Sequence, residues 1–118
     1  MIQTDAVKNY ILPTKKYKDN LGWLAYAEEA DILNVALFGF TAKDWREANP
    51  ELAKKNNVRD FASINELTVL SNLETHNADM IRVGLTKEER FMRLKEIAQY
   101  QLKILEEAEQ VRSLPQLQ

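Results

Sequence analysis

Two helix-start signals constrain this chain more than any other feature. Ser63 with Glu66, and Thr86 with Glu89, each put a hydroxyl at a helix N-cap and a carboxylate three residues later. In that spacing each side chain satisfies a backbone N–H that the start of a helix leaves unpaired. Gly84 falls between the two signals, where a left-handed residue can close the first helix. The pattern predicts a helix from Ser63 to about Val83. A longer one follows from Thr86 through Phe91, Leu94, Ile97, Ala98, Leu102, Leu105, Ala108 and Val111, with Pro115 beyond it. Two long helices separated by Gly84-Leu85 read as an antiparallel helical hairpin.

The remaining punctuation agrees. The chain has three glycines and three prolines, and all six fall at boundaries. A short helix is expected from Thr4 to Leu12, capped by Thr4 and stopped by Pro13, followed by a loop from Thr14 to Gly22. A second helix is expected from about Leu24 to Phe38, closed by Gly39. Its apolar set is Ala25, Ile32, Val35, Ala36 and Leu37, with Glu28, Glu29 and Asp31 on the wet face. Thr41 can cap a third helix through Trp45 to about Ala48, before Pro50. Glu51 to Ala62 is irregular, with a turn of helix near Leu52. No stretch alternates with period two between hairpin turns, so no strand is expected. The fold class is all-α: residues 1–118 as one compact bundle of about five helices with the long C-terminal hairpin.

At 118 residues and 13.7 kDa the chain is one domain. Folding it reduces roughly 20,000 Å² of open-chain surface to roughly 6,600 Å², enough burial for a core without staples. The absence of cysteine excludes disulfides, zinc fingers, iron–sulfur clusters and thiol catalysis, and a single histidine excludes multi-His zinc sites. Net charge is −2, which argues against a free-standing basic nucleic-acid binder and a polybasic membrane anchor. The N-terminus carries no signal-peptide pattern, and no apolar run is long enough to span a bilayer, so a cytoplasmic location is the expectation.

No catalytic constellation is legible. Ser63 is a cap, Ser71 lies within a helix and Ser113 is near the end, none in a nucleophile elbow or S-x-x-K motif. No two glycines lie close enough for a phosphate loop. Adjacent Glu28 and Glu29 point about a quarter-turn apart and read as a solvated acidic face rather than an acid/base pair. His76, with Asn72 four residues before and Asp79 three after, reads as an exposed or hydrogen-bonded helix histidine, since a metal would need further convergent ligands. No catalytic, cofactor or metal residue is assigned, and the expectation is a protein that is not an enzyme.

Two patterns point to contacts instead. Eight of the ten aromatics precede residue 62, interleaved with Lys15, Lys16, Lys18, Lys43, Arg46, Lys54, Lys55 and Arg59. That is the composition of a stacking surface for nucleic acid. The same stretch holds nine basic and nine acidic residues, which favours an aromatic core with a solvated rim. Thr68, Ser71, Asn72, Thr75, His76 and Asn77 form an uncharged polar stripe. It would either hydrogen-bond the irregular 51–62 segment or face a partner. Arg46 beside Asp44 and Glu47, and Arg59 beside Asp60, are candidate loop-tethering salt bridges.

The run from Ala30 to Gly39, then Thr41-Ala42-Lys43, Trp45-Arg46 and Asn49-Pro50, resembles the C-terminal region of KilA-N domain proteins of bacteria and phages. So do Asn57 to Ala62, Leu67, Val69 to Glu74 and Asn77-Ala78. The likeness runs from about Thr4 to Leu105; about 50 residues in fixed order carry it. Asn56 stands where a glycine is common in that pattern; asparagine tolerates a left-handed turn. The resemblance implies an accessory or self-association domain of a DNA-binding regulator. DNA contact belongs to a KilA-N domain that has no matching positions here, so the sequence reads as a truncated piece or a stand-alone member. The alternative is a nucleic-acid-binding module using the basic and aromatic N-terminal half.

The last helix adds a specific expectation. Leu102, Ile104 and Val111 lie where it outruns a partner helix of about 20 residues, near 30 Å at 1.5 Å per residue. A homodimer through Leu102 to Val111 would cover them. The competing arrangement folds Val7, Ile11 and Leu12 back over that end. The candidate contact or structural residues are therefore Trp45, Arg46, Asn49, Arg59, Asp60, Asn72, His76, Asn77, Leu102, Ile104 and Val111, with no cofactor, small-molecule substrate or membrane contact.

Overall fold

Capping chemistry sets the helix boundaries. In the computed structural model, which describes residues 10–13, 17 and 21–112, four α-helices are present. They are α1 (Glu29–Phe38), α2 (Ala42–Ala48), α3 (Ile64–Arg82) and α4 (Lys87–Arg112). Helix of all kinds takes up 76% of the described residues, and none of them is in a strand. The Ser63 hydroxyl accepts from the Glu66 N–H at 3.0 Å, and the Glu66 carboxylate accepts from the Ser63 N–H at 2.8 Å. Thr86 and Glu89 form the same reciprocal pair at 3.1 and 2.9 Å. Thr41 and Asp44 cap α2 likewise, both bonds at 3.0 Å and both buried.

Helix α3 ends in a Schellman arrangement. Gly84 takes φ 88°, the Leu85 N–H reaches the Met80 carbonyl at 3.0 Å and the Gly84 N–H reaches the Ile81 carbonyl at 3.0 Å. The chain reverses within four residues, and α4 returns along α3. Asn72 meets Gln101 and Asn65 meets Glu109, so rising numbers on α3 pair with falling numbers on α4.

Two expectations from sequence are corrected. The helix drawn from Leu24 begins at Glu29. Glu28 and Ala27 have extended backbones, and the Asp31 carboxylate accepts the Glu28 N–H at 3.1 Å. A 3₁₀ turn over Gly22–Tyr26 precedes it, turning Leu24 into the core and leaving Tyr26 outside. Most of the short helix drawn from Thr4 lies outside the described residues, and Tyr10 to Leu12 are not helical. There Asn49 takes both the N–H and the carbonyl of Ile11, the groups a helix would use. The segment 51–62 holds two 3₁₀ turns, Leu52–Lys54 and Val58–Phe61.

The main core joins three helices. Ile32, Leu33, Val35 and Ala36 of α1 meet Val69, Leu70 and Leu73 of α3 and Phe91, Leu94 and Ala98 of α4. These recur at three- and four-residue steps, the spacing that lines one helix face. A second cluster packs α2 against the 51–62 segment through Phe40, Trp45 and Val58, with Tyr10, Phe38 and Phe61 around them. No helix among the described residues is long and apolar enough to cross a membrane.

Candidate interaction surface

The most buried charge in the described chain is structural. Arg90 is 5% exposed. Its guanidinium donates to both Glu29 oxygens at 2.6 and 3.2 Å, to the Asn77 side-chain oxygen at 2.8 Å and to the Leu85 carbonyl at 3.2 Å. Asn77 donates in turn to Glu29 at 2.9 Å, and Lys87 to the Ala27 carbonyl at 2.8 Å. One fork thus ties α1, α3 and the hairpin turn together, as a planar bidentate donor can and an ammonium cannot. Glu29 is therefore not part of a merely solvated acidic face. Sequence reading missed it, although the signal was present: Arg90 sits one turn before Leu94, and Asn77 one turn after Leu73, both in apolar register.

The hydrogen bonds from Arg90 hold the Glu29 carboxyl below its ordinary value of 4.5; burial opposes this and Asn77 adds to it. A carboxylate lowered by folding contributes stability that is complete above its unfolded value and is lost as pH falls through the folded value. Glu29→Gln should therefore flatten the loss of stability below about pH 4.5 relative to the parent chain. Urea midpoints between pH 6 and pH 3 measure it, and parallel curves would show that Glu29 does not contribute.

The uncharged stripe of α3 faces outward. Thr68, Ser71, Asn72, Thr75 and His76 are exposed and do not hydrogen-bond the 51–62 segment; Thr68 donates to its own helix at Ile64, and Asn72 to Gln101. Asn77 alone turns inward. The Asn72–Gln101 bond marks the outer seam of the hairpin. Along it, at steps of three or four, run Thr68, Asn72 and His76 on α3 and Gln101, Ile104, Ala108 and Val111 on α4. Helix geometry places such positions side by side. From Ile64 to Ala78 the only charged residues are Glu66 and Glu74, and both are engaged within the chain, by Ser63 and Arg59. Ile64 is 82%, Tyr100 67%, Ile104 43% and Val111 67% exposed. Leu102 departs from the expected contact strip: with Leu105 it packs on the main core. Helix α4 has 26 residues against 19 in α3, and positions 106–112 are all exposed.

The other candidates have internal roles. Trp45 is fully buried, its ring 5.5 Å from Phe61 and 6.4 Å from Tyr10. Its indole N–H is buried and meets no acceptor among the described residues, an arrangement that costs about 1–3 kcal/mol. Arg46 is exposed, and the expected bridges to Asp44 and Glu47 do not form. Asp44 instead caps Thr41 and accepts from the Tyr17 hydroxyl at 2.7 Å, while Glu47 faces Lys43 at 4.0 Å. Arg59 does pin the irregular segment to α3, through Glu74 at 3.3 Å rather than Asp60. Asp60 accepts the Asn57 N–H at 2.8 Å and so closes a 3₁₀ turn. Asn49 is 5% exposed and holds Ile11 from both sides at 2.7 Å while donating to the Trp45 carbonyl at 3.0 Å.

Lys15, Lys16 and Lys18, which the nucleic-acid reading would need, lie outside the described residues, and Lys54 is paired with Glu51 at 3.0 Å. Among the described residues no group of three or more His, Asp or Glu side chains could hold a metal ion. No known protein family, curated protein or solved structure matches this chain.

Proposed function

We propose that this chain is a non-enzymatic self-association module that forms a homodimer through the outer face of the α3–α4 hairpin, as the accessory part of a DNA-binding regulator of KilA-N type. The link to DNA rests on the sequence resemblance alone. The observation that carries self-association is the exposed, uncharged stripe of α3 (Thr68, Ser71, Asn72, Thr75 and His76), with Ile64 beside it and Tyr100, Ile104 and Val111 outward on α4. Charged residues normally dominate the exposed faces of a helix, and a contiguous face without them marks a contact surface. Two such hairpins placed face to face make a four-helix bundle with a two-fold axis, the commonest closed assembly.

The charge pattern elsewhere favours protein contact over phosphate contact. Lys43, Lys54, Arg59 and Arg82 each lie within 4.0 Å of a carboxylate, whose negative charge opposes the approach of a phosphate. Ile104 is the point to test. Light scattering at tens of micromolar should give the mass of two chains, and Ile104→Glu should return it to one without loss of helical signal, because the new charge would be buried only in the dimer. A monomeric mass for the parent chain, or a dimer indifferent to Ile104→Glu, refutes the assignment.

A further inference from the structure

A second site is built around Asn49. Its amide is fixed before any contact is made outward: one N–H is held by the Trp45 carbonyl at 3.0 Å, which orients the other N–H and the oxygen together. Those two atoms pair with the carbonyl and N–H of Ile11, both at 2.7 Å. A buried amide that exchanges two hydrogen bonds with one residue's backbone reproduces the pairing of neighbouring strands, and reads an extended peptide whatever its side chain. Beside it, the Tyr10 ring fills an aromatic socket, 5.3 Å from Phe61 and 6.4 Å from Trp45.

The segment that occupies this site uses little of it. Ile11 and Leu12 are 64% and 65% exposed, so among the described residues of this segment the Tyr10 ring and the Ile11 backbone make its inward contacts. Two adjoining clefts border it, both lined by Tyr10, Leu12 and Phe61. One, of about 260 Å³, extends past Pro13 to Phe40 and Val58; the other, of about 490 Å³, extends to Asp60 and Ser63. The buried Trp45 indole N–H meets no acceptor among the described residues.

We propose that the Asn49–Trp45–Phe61 socket is a peptide-binding site for an extended segment bearing an aromatic residue followed by an aliphatic one, and that Tyr10 to Pro13 occupy it as an internal, displaceable latch. Asn49 reads the backbone, and the ring socket supplies the selectivity. A latch tethered nearby competes at a high effective concentration, so a partner peptide gains access when the latch is weakened.

The test uses the full chain and a fluorescent peptide with the sequence of residues 9–14. The Tyr10→Ala chain should bind this peptide at least about tenfold more tightly than the parent chain does. A peptide carrying proline in place of Ile11 lacks the N–H that Asn49 accepts, and should not bind; one carrying alanine in place of Tyr10 should not bind either. Both comparisons are made on one protein, so its folding is common to all. In the parent chain, millimolar peptide should shift the Asn49 side-chain amide resonances and the proline peptide should not. Equal behaviour of the proline peptide, or no shift and no gain in the Tyr10→Ala chain, overturns the proposal. Either result leaves the hairpin dimer untouched, because none of these residues lies on that face.

Discussion

Trp45→Ala is expected to remove roughly 3–5 kcal/mol of stability. Trp45 is fully buried at the centre of the second cluster, between Tyr10 and Phe61 and beside Phe40 and Val58. Its loss opens a cavity where α2 meets the 51–62 segment, and those short elements have little else to hold them. Removing the unpaired indole N–H offsets part of the cost, which places the effect toward the lower end. For a domain of this size the melting temperature should fall by about 10 °C or more. Trp45→Phe should recover part of it. A melting point unchanged by Trp45→Ala would show that the second cluster does not contribute to the cooperative fold.

Arg90→Ala should cost nearly as much, about 2–4 kcal/mol, for a different reason. The substitution leaves the Asn77 oxygen and the Leu85 carbonyl without a donor beneath the hairpin turn. Glu29 is less penalised, because its side chain is 45% exposed and water can reach it. Arg90→Lys keeps the charge but not the fork, and should lose more than half of what alanine loses. Thermal melts of Arg90→Ala, Glu29→Gln and the double variant separate the pair's coupling from each desolvation effect. Strict additivity of the two single losses would show that the ion pair is not what joins α1 to the hairpin.

What could be read from the sequence was what is local. The capping pairs Ser63–Glu66 and Thr86–Glu89 and the Thr41 cap act within four residues, and Gly39 and Gly84 end helices through their own backbone freedom; that Asp44 completes the Thr41 cap instead of meeting Arg46 was not legible. The start of α1 was not legible, because Glu28 and Asp31 outcompete helix continuation only when Leu24 and Ala27 have a core to enter. Arg59 was assigned to its neighbour Asp60 and takes Glu74 instead, fifteen residues away. Adjacent side chains on a tight turn diverge, and a residue one helix over can be nearer in space. The same limit hid Arg90 and Glu29, 61 positions apart. The last helix divides in a way the sequence does not show: Ile104 and Val111 are exposed, while Leu102 and Leu105 bear on the main core. That division depends on where α3 crosses α4, which periodicity alone does not fix.

Concentration-dependent hydroxyl-radical footprinting measures, residue by residue, whether a second copy covers the hairpin seam. Tyr100, Ile104 and Val111 should become protected over the concentration range in which the mass doubles. Met92, 50% exposed on α4 and away from the seam, should react equally at every concentration. Uniform reactivity of Tyr100 and Ile104 while the mass doubles, or protection centred on Met92, would contradict the account.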